Sequence, residues 1–165
     1  MAYPGRTITA DNRDAFAVVA HLHGSLYLVA DGSSSQPLSG ELANALLAKR
    51  VLNFSQLLPP EMSAEQMANA LLQIIATNHH ELRNAYPLAA CSYLVLCVLS
   101  NAAFSIHEGD CCLGLIEQTD SFNWLSNVHC AANWQSPPHP AEIADDASRH
   151  QLNRCFSVRT SPVSV

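Results

Sequence analysis

The feature that most narrows what this chain can fold into is a change of hydrophobic period along it. Residues Ala15 to His21 and Ser25 to Ala30 are two short runs rich in Val, Leu, Phe and Tyr, joined by His23-Gly24, and they read as a tight β-hairpin. The period then becomes helical. Leu38, Leu42, Ala45, Leu46 and Val51 fall at helical spacing, and Glu41 sits where a helix dipole favours an acid, so a helix is predicted over about Ser39 to Asn53. Pro59-Pro60 interrupts it. Ser63-Ala64-Glu65-Gln66 has the form of a capping box, and Met67, Leu71, Ile74, Ile75 and Leu82 follow on one stripe, which predicts a second helix over 63–85, ending before Pro87.

Beyond Pro87 the pattern returns to strands. Ser92 to Leu99 and Ala102 to His107 flank the turn Ser100-Asn101, and after Gly109-Asp110 two further strands, Cys112 to Glu117 and Phe122 to Leu125, flank Thr119-Asp120-Ser121. Gln135 to Pro140, with three prolines, reads as an irregular loop, and Ala144 to Phe156 has weak helical character. A hairpin, two helices and then a run of strands predict an α+β domain with antiparallel sheet and a layer of helices, one domain over residues 1–165. No internal repeat is visible.

Composition removes several function classes. Only 13% of residues are charged while 48% are hydrophobic, which excludes global disorder. The net charge is −6 and the few basic residues are scattered, so there is no patch for nucleic acid. The most apolar stretch, Leu88 to Phe104, is interrupted by Ser92, Ser100 and Asn101 and suits strands rather than a membrane span. With no basic-then-apolar leader at the N-terminus, a cytoplasmic location is expected. The six cysteines include no Cys-x-x-Cys and are expected as reduced, buried thiols rather than zinc ligands. So little charge over so much apolar sequence also implies that part of the surface is covered, either by further chain or by self-association into a homo-oligomer.

Three acids lie at strand ends or turns rather than on a solvated helix face: Asp14, Asp31 and Asp110. The start of one hairpin strand lies beside the end of its partner, so Asp14 and Asp31 should be neighbours. Two adjacent carboxylates repel, and a divalent cation is a common reason to tolerate that. Asp31-Gly32 taken alone is more often an ordinary turn than a metal site.

The order of these pieces is more specific than any one of them. Asn12-Arg13-Asp14-Ala15, the hairpin, Val29-Ala30-Asp31-Gly32, a helix opening Gly40-Glu41-Leu42-Ala43, a strand pair ending Gly109-Asp110, and Asn153-Arg154 near the end resemble the metal-dependent protein phosphatases of type 2C. The resemblance implies an antiparallel β-sandwich flanked by helices. It also implies hydrolysis of phosphoserine and phosphothreonine in proteins by a water activated between two Mg²⁺ or Mn²⁺ ions. On that resemblance Asp31 bridges the ions, Gly32 offers its carbonyl to one of them, Asp14 holds the attacking water, and Asp110 belongs to an additional metal site.

The sequence departs from that pattern in places. Arg13 stands where the family has Glu, Ser33-Ser34-Ser35 replaces a glycine-rich continuation, and Cys111 replaces a serine. The family's phosphate-binding arginine would fall on Thr9, so Arg6 is the nearest substitute. The sequence stops at Val165, about where the family continues into strands ending Ser-Asp-Gly and Asp-Asn; the expectation is a type 2C-like fold lacking these C-terminal strands and their two aspartates. The alternative function is a catalytically dead relative that binds a phosphoprotein or a kinase. His79-His80 reads as a solvated helix end, His107 as either a proton donor or a packed side chain, and Trp124 and Trp134 as core or partner-facing anchors. No phosphate-binding loop and no Gly-x-Ser-x-Gly elbow is present.

Overall fold

A computed structural model describes residues 12–21, 23–57, 62–118, 121–130 and 151–157. Strands Asp14–His21 (β1) and Gly24–Gly32 (β2) form the expected hairpin, with Asp14 paired to Asp31 and His21 to Gly24. Two helices follow, Ser39–Leu57 (α1) and Ala64–Ala85 (α2). The first runs one turn beyond its expected end. Ala90–Leu99 (β3) then returns antiparallel beside β2, and Ala103–Glu108 (β4) pairs antiparallel with β3. Gly114–Ile116 (β5) and Phe122–Trp124 (β6) make a separate two-stranded ribbon. Phe156–Ser157 (β7) pairs with the start of β3 and completes a five-stranded sheet. The fold is α+β and its sheets are antiparallel, as the change of period implies.

Alternation along the strands divides the large sheet into two faces. Leu26, Leu28 and Ala30 of β2, Ala15 of β1 and Tyr93 and Val95 of β3 are buried beneath α1 and α2, which bring Leu42, Leu46, Met67, Leu71 and Ile75 into the same core. The opposite face is open over the hairpin: Phe16 is 82% and Val18 59% exposed, and Tyr27, Val29 and Val98 are exposed beside them.

Helix α2 starts as the sequence specifies. The Ser63 hydroxyl accepts the Gln66 backbone N–H at 3.2 Å while the Gln66 side chain accepts the Ser63 N–H at 2.9 Å, closing the capping box. Its far end departs from expectation. His80 is exposed, but His79 is buried, its Nε2 2.9 Å from the Ser157 carbonyl and its ring edge-on to Phe156. The reason is β7, which arrives under the helix from 78 residues away. For the same reason the described end of Ala144 to Phe156 is extended rather than helical: Leu152 bridges to Cys130 and Phe156 enters the sheet. The loop from Gln135 to Pro140 lies outside the described residues.

A cation is built into the helix-covered core. Arg50 is 2% exposed and its guanidinium lies 4.4 Å above the centre of the Tyr93 ring. Among the described residues its three guanidinium nitrogens, the Tyr93 hydroxyl and the Asn78 amide nitrogen have no hydrogen-bond partner. The Glu108 carboxylate, also buried, faces this group and pairs with Arg154 at 3.4 Å. Burial raises the pKa of Glu108 and lowers that of Arg50. None of the six cysteines, all among the described residues, forms a disulfide. Cys91, Cys97 and Cys130 are buried as expected, while Cys111, Cys112 and Cys155 are only partly so.

Candidate functional site

Antiparallel register brings the candidate acids together at one end of the sheet. Asp14 pairs with Asp31, and Asp31 pairs with Ser92, so the three side chains form one row across β1, β2 and β3 on the open face. Gly109, opposite Ser92 and just beyond β4, has φ +91°, and a Cβ there would lie 2.2 Å from the Ser92 hydroxyl oxygen. Only glycine fits. That turn swings Asp110 onto the row, where its carboxylate accepts the Ser92 hydroxyl at 2.6 Å while its backbone N–H donates to the same oxygen at 3.4 Å. Ser92 therefore links Asp110 to the sheet, a role that its sequence neighbourhood does not announce. The signal is its register opposite Asp31, visible only once β2 and β3 are paired.

The electrostatics follow from this crowding. Partial desolvation at the sheet end, then the charges of Asp14 and Asp110 and a hydrogen bond that protonated Asp31 donates to Asp14, push the Asp31 carboxyl up to about 6. The Cys111 thiol beside the cluster is pushed up to about 12, first by burial and then by Asp110 and Asp31, so it stands there neutral.

The loop after Asp31 is fixed by backbone and by Arg13. A Cβ on Gly32 would lie 2.6 Å from the Ser39 carbonyl oxygen, so α1 begins directly against the strand end. The Arg13 guanidinium donates to the Ser33 carbonyl at 2.9 Å and the Gln36 carbonyl at 3.0 Å. The cation that replaces the family's acid is thus a fastener for the 33–36 loop. The Ser33 N–H donates to Ala90 O and the Ser39 hydroxyl accepts the Ala90 N–H, tying the same loop to the start of β3.

The histidine beside the site is packed. His107 stacks on His129 with ring centres 4.8 Å apart, and its Nε2 meets the Asn127 carbonyl at 2.8 Å. His129 accepts the Gly109 N–H at Nδ1, and burial, helped by His107 and Arg154, lowers its pKa to about 4. Trp124 lies edge-on to Phe122 on the exposed ribbon and is no part of the core. Arg6 and Trp134 lie outside the described residues.

The donor chemistry fits a hard divalent cation. Asp14, Asp31 and Asp110 are oxygen donors, and after desolvation the charges of Asp14 and Asp110 are the next cause of the raised Asp31 pKa, a repulsion that such an ion would relieve. Among the described residues no three His, Cys, Asp or Glu side chains converge closely enough to hold an ion alone. The fit is to an ion that keeps several waters and takes one or two carboxylates, the habit of Mg²⁺.

No family model matches the sequence, and no curated protein does. Solved structures do. The serine/threonine phosphatase of S. agalactiae superposes with a TM-score of 0.78 at 14% identity, over 96% of this chain and 67% of that one. The phosphatase Stp1 of Staphylococcus aureus gives 0.80 at 15% identity over 93% and 63%, and the PPM phosphatase MsPP of Mycobacterium smegmatis gives 0.68 at 19% over 92% and 63%. The fold is that of the type 2C, or PPM, protein phosphatases. This chain spans about two thirds of the length of the solved structures it matches.

Proposed function

We propose that residues 1–165 form a single phosphatase-like domain whose carboxylate row serves metal-dependent hydrolysis of phosphoserine and phosphothreonine in proteins. The observation that carries this reading is the row itself: Asp14 paired with Asp31, with Asp110 delivered to it by Gly109 and Ser92, on a type 2C-like fold. Asp31, the Gly32 carbonyl and Asp110 would hold Mg²⁺ or Mn²⁺, which when bound supplies Lewis-acid stabilisation of charge on the phosphoryl oxygens and activation of water. Asp14 orients the attacking water and takes its proton. Ser92 fixes the Asp110 carboxylate in place, and Arg13 fastens the 33–36 loop that follows Asp31. Arg6 is the cation offered to the substrate phosphate.

The partner is a phosphoprotein, and the setting is cytoplasmic signalling. No described helix is long and apolar enough to cross a membrane, which accords with that setting. Hydrolysis of a phosphoserine peptide with Mn²⁺ tests the reading, with Asp31→Asn and chelator as comparisons. Turnover lost in both supports it. Absence of turnover in the wild-type chain, with phosphopeptide binding retained, overturns it in favour of a binding module.

A further inference from the structure

We propose that His129 is a positioning residue for the acidic row: it pins the Gly109 turn from both sides and so aims Asp110 at Ser92 and Asp31. The Gly109 N–H donates to the His129 ring at Nδ1 over 3.3 Å, and the His129 backbone N–H donates to the Gly109 carbonyl over 2.7 Å. The first of these glycine groups belongs to the peptide plane before Gly109 and the second to the plane after it. With both planes held, the two soft dihedrals between them are set, and with them the direction in which the chain delivers Asp110. What Asp110 is aimed for rests on the metal reading above; the grip itself does not.

The turn needs such a grip. The close approach of Ser92 admits only glycine at position 109, and glycine is the residue whose backbone is least restrained, visiting positive and negative φ about equally. The pairing of β3 with β4 ends at Tyr93 and Glu108, one residue short of the turn, so the ladder does not hold it. The Ser92 hydroxyl acts beyond the turn, on Asp110. Residue 129 therefore removes, at the turn itself, the freedom that the Ser92 contact imposes.

The surroundings of His129 hold its ring in this task. The ring lies flat on His107, with centres 4.8 Å apart and planes 8° from parallel. A carbonyl oxygen only accepts, so His107 donates from Nε2 to the Asn127 carbonyl at 2.8 Å, and the stack is fixed from its other side. Burial, then His107 and Arg154, lower the pKa of His129 to about 4, which leaves the ring neutral at neutral pH with the Nδ1 lone pair free to accept. Behind the ring, the Asn153 N–H donates to the His129 carbonyl at 3.1 Å and its side-chain amide to the Cys130 carbonyl at 3.2 Å. Arg154 reaches Glu108, the residue before Gly109, at 3.4 Å. Residues 153 and 154 thus brace the turn on both flanks.

Hydrogen exchange of the Gly109 and Asp110 amides, followed by NMR on the metal-free 165-residue chain, tests the grip, and calorimetric titration with Mn²⁺ tests its purpose. His129→Phe keeps a flat ring for the stack and loses the acceptor. Exchange at Gly109 should then quicken about fivefold, as the loss of one net hydrogen bond implies, and Mn²⁺ binding should weaken by a similar factor. His129→Asn, whose Oδ1 reaches the place of Nδ1, should bring both back to within about twofold of the wild type. The opposite order, with Phe like the wild type and Asn loose, overturns the proposal, because it means that the ring only fills space. If circular dichroism shows the Phe variant unfolded, the wild-type ring decides: its ring-nitrogen NMR shifts should report the proton on Nε2, and a proton on Nδ1 overturns the grip. A wild-type chain that binds no Mn²⁺ while the exchange results hold leaves the grip standing and overturns the metal reading instead.

Discussion

The two faces of one sheet are made from the same residue types and meet opposite fates. On β2, Leu26 and Leu28 alternate with Tyr27 and Val29; the first pair is buried under α1 and α2, and the second is exposed. Hydrophobicity alone therefore does not decide which side is the core. The helices do, and they also carry a polar group into that core, since Arg50 follows Leu42 and Leu46 at four-residue spacing on the same stripe of α1. Away from the acidic row, then, the open face over the hairpin is greasy while the closed face holds a charge, the reverse of the usual arrangement. Such a closed face holds the fold together, and such an open one is held in reserve for something to cover it.

Truncation on the two faces is the most direct way to break this contrast. Leu28→Ala, beneath the helices, should cost about 2–5 kcal/mol in equilibrium unfolding, whereas Phe16→Ala under dilute conditions should change stability by about 0.5 kcal/mol or less. Equal losses from the two would mean that the open face is already covered.

A second test sharpens what the buried cation contributes. Arg50→Ala should destabilise by about 3 kcal/mol, because it leaves a cavity against the Tyr93 ring in the helix-covered core. Arg50→Met, which keeps the packing on Tyr93 without the charge, should recover most of that loss, since its five guanidinium donors have no acceptor to forfeit among the described residues. If Met is as damaging as Ala, the charge rather than the volume is what the core requires.

The smallest effect is at the rim, where the open face becomes acidic. The folded-state pKa of Asp31 is about 6, above its ordinary value near 4, so the folded chain holds this proton more tightly than the unfolded one. The contribution of this group to stability is present below about pH 4 and is lost as pH rises through about 6. His129, depressed to about 4, pulls the opposite way in the same window, so the measurement is the difference in unfolding midpoint between the wild type and Asp31→Asn. That difference should favour Asn progressively as pH rises from 4 to 6. Mn²⁺ should shrink it at neutral pH.

Much of this was legible in the sequence, for local reasons. A hairpin with a short turn fixes its own register, but one residue of turn position decides it: the observed pairing of His21 with Gly24 sets Asp14 opposite Asp31, whereas a two-residue turn at His23-Gly24 itself would set Asp14 opposite Ser33. The capping box and the Met67-Leu71-Ile75 stripe likewise specify α2 from within. The burial of His79 was illegible because its cause, β7, lies far along the chain, and adjacent histidines at a helix end carry no trace of a strand arriving beneath them. Ser92 was missed for a related reason: its function depends on pairing across β2, β3 and the Gly109 turn at once. Arg50 could have been read from its spacing behind Leu46, but a charged residue on an apolar stripe is more often a boundary than a core member.

The long helical excursion between the two central strands has a consequence for how the sheet comes into being. Strands β1 and β2 meet across a short turn, whereas β2 meets β3 only after residues 33–89 have been looped back, a closure that costs roughly 3 kcal/mol more in chain entropy. Refolding should thus proceed in a fixed order, with amides of the hairpin protected from exchange early and those linking β2 to β3 later, after α1 has collapsed onto the hairpin. Asp14 and Asp31 are neighbours from the first step. Asp110 joins them only when β4 has zipped onto β3, so the row of acids is completed at the slow end of the reaction, and a nascent chain holds two-thirds of its carboxylates in place well before it holds the last.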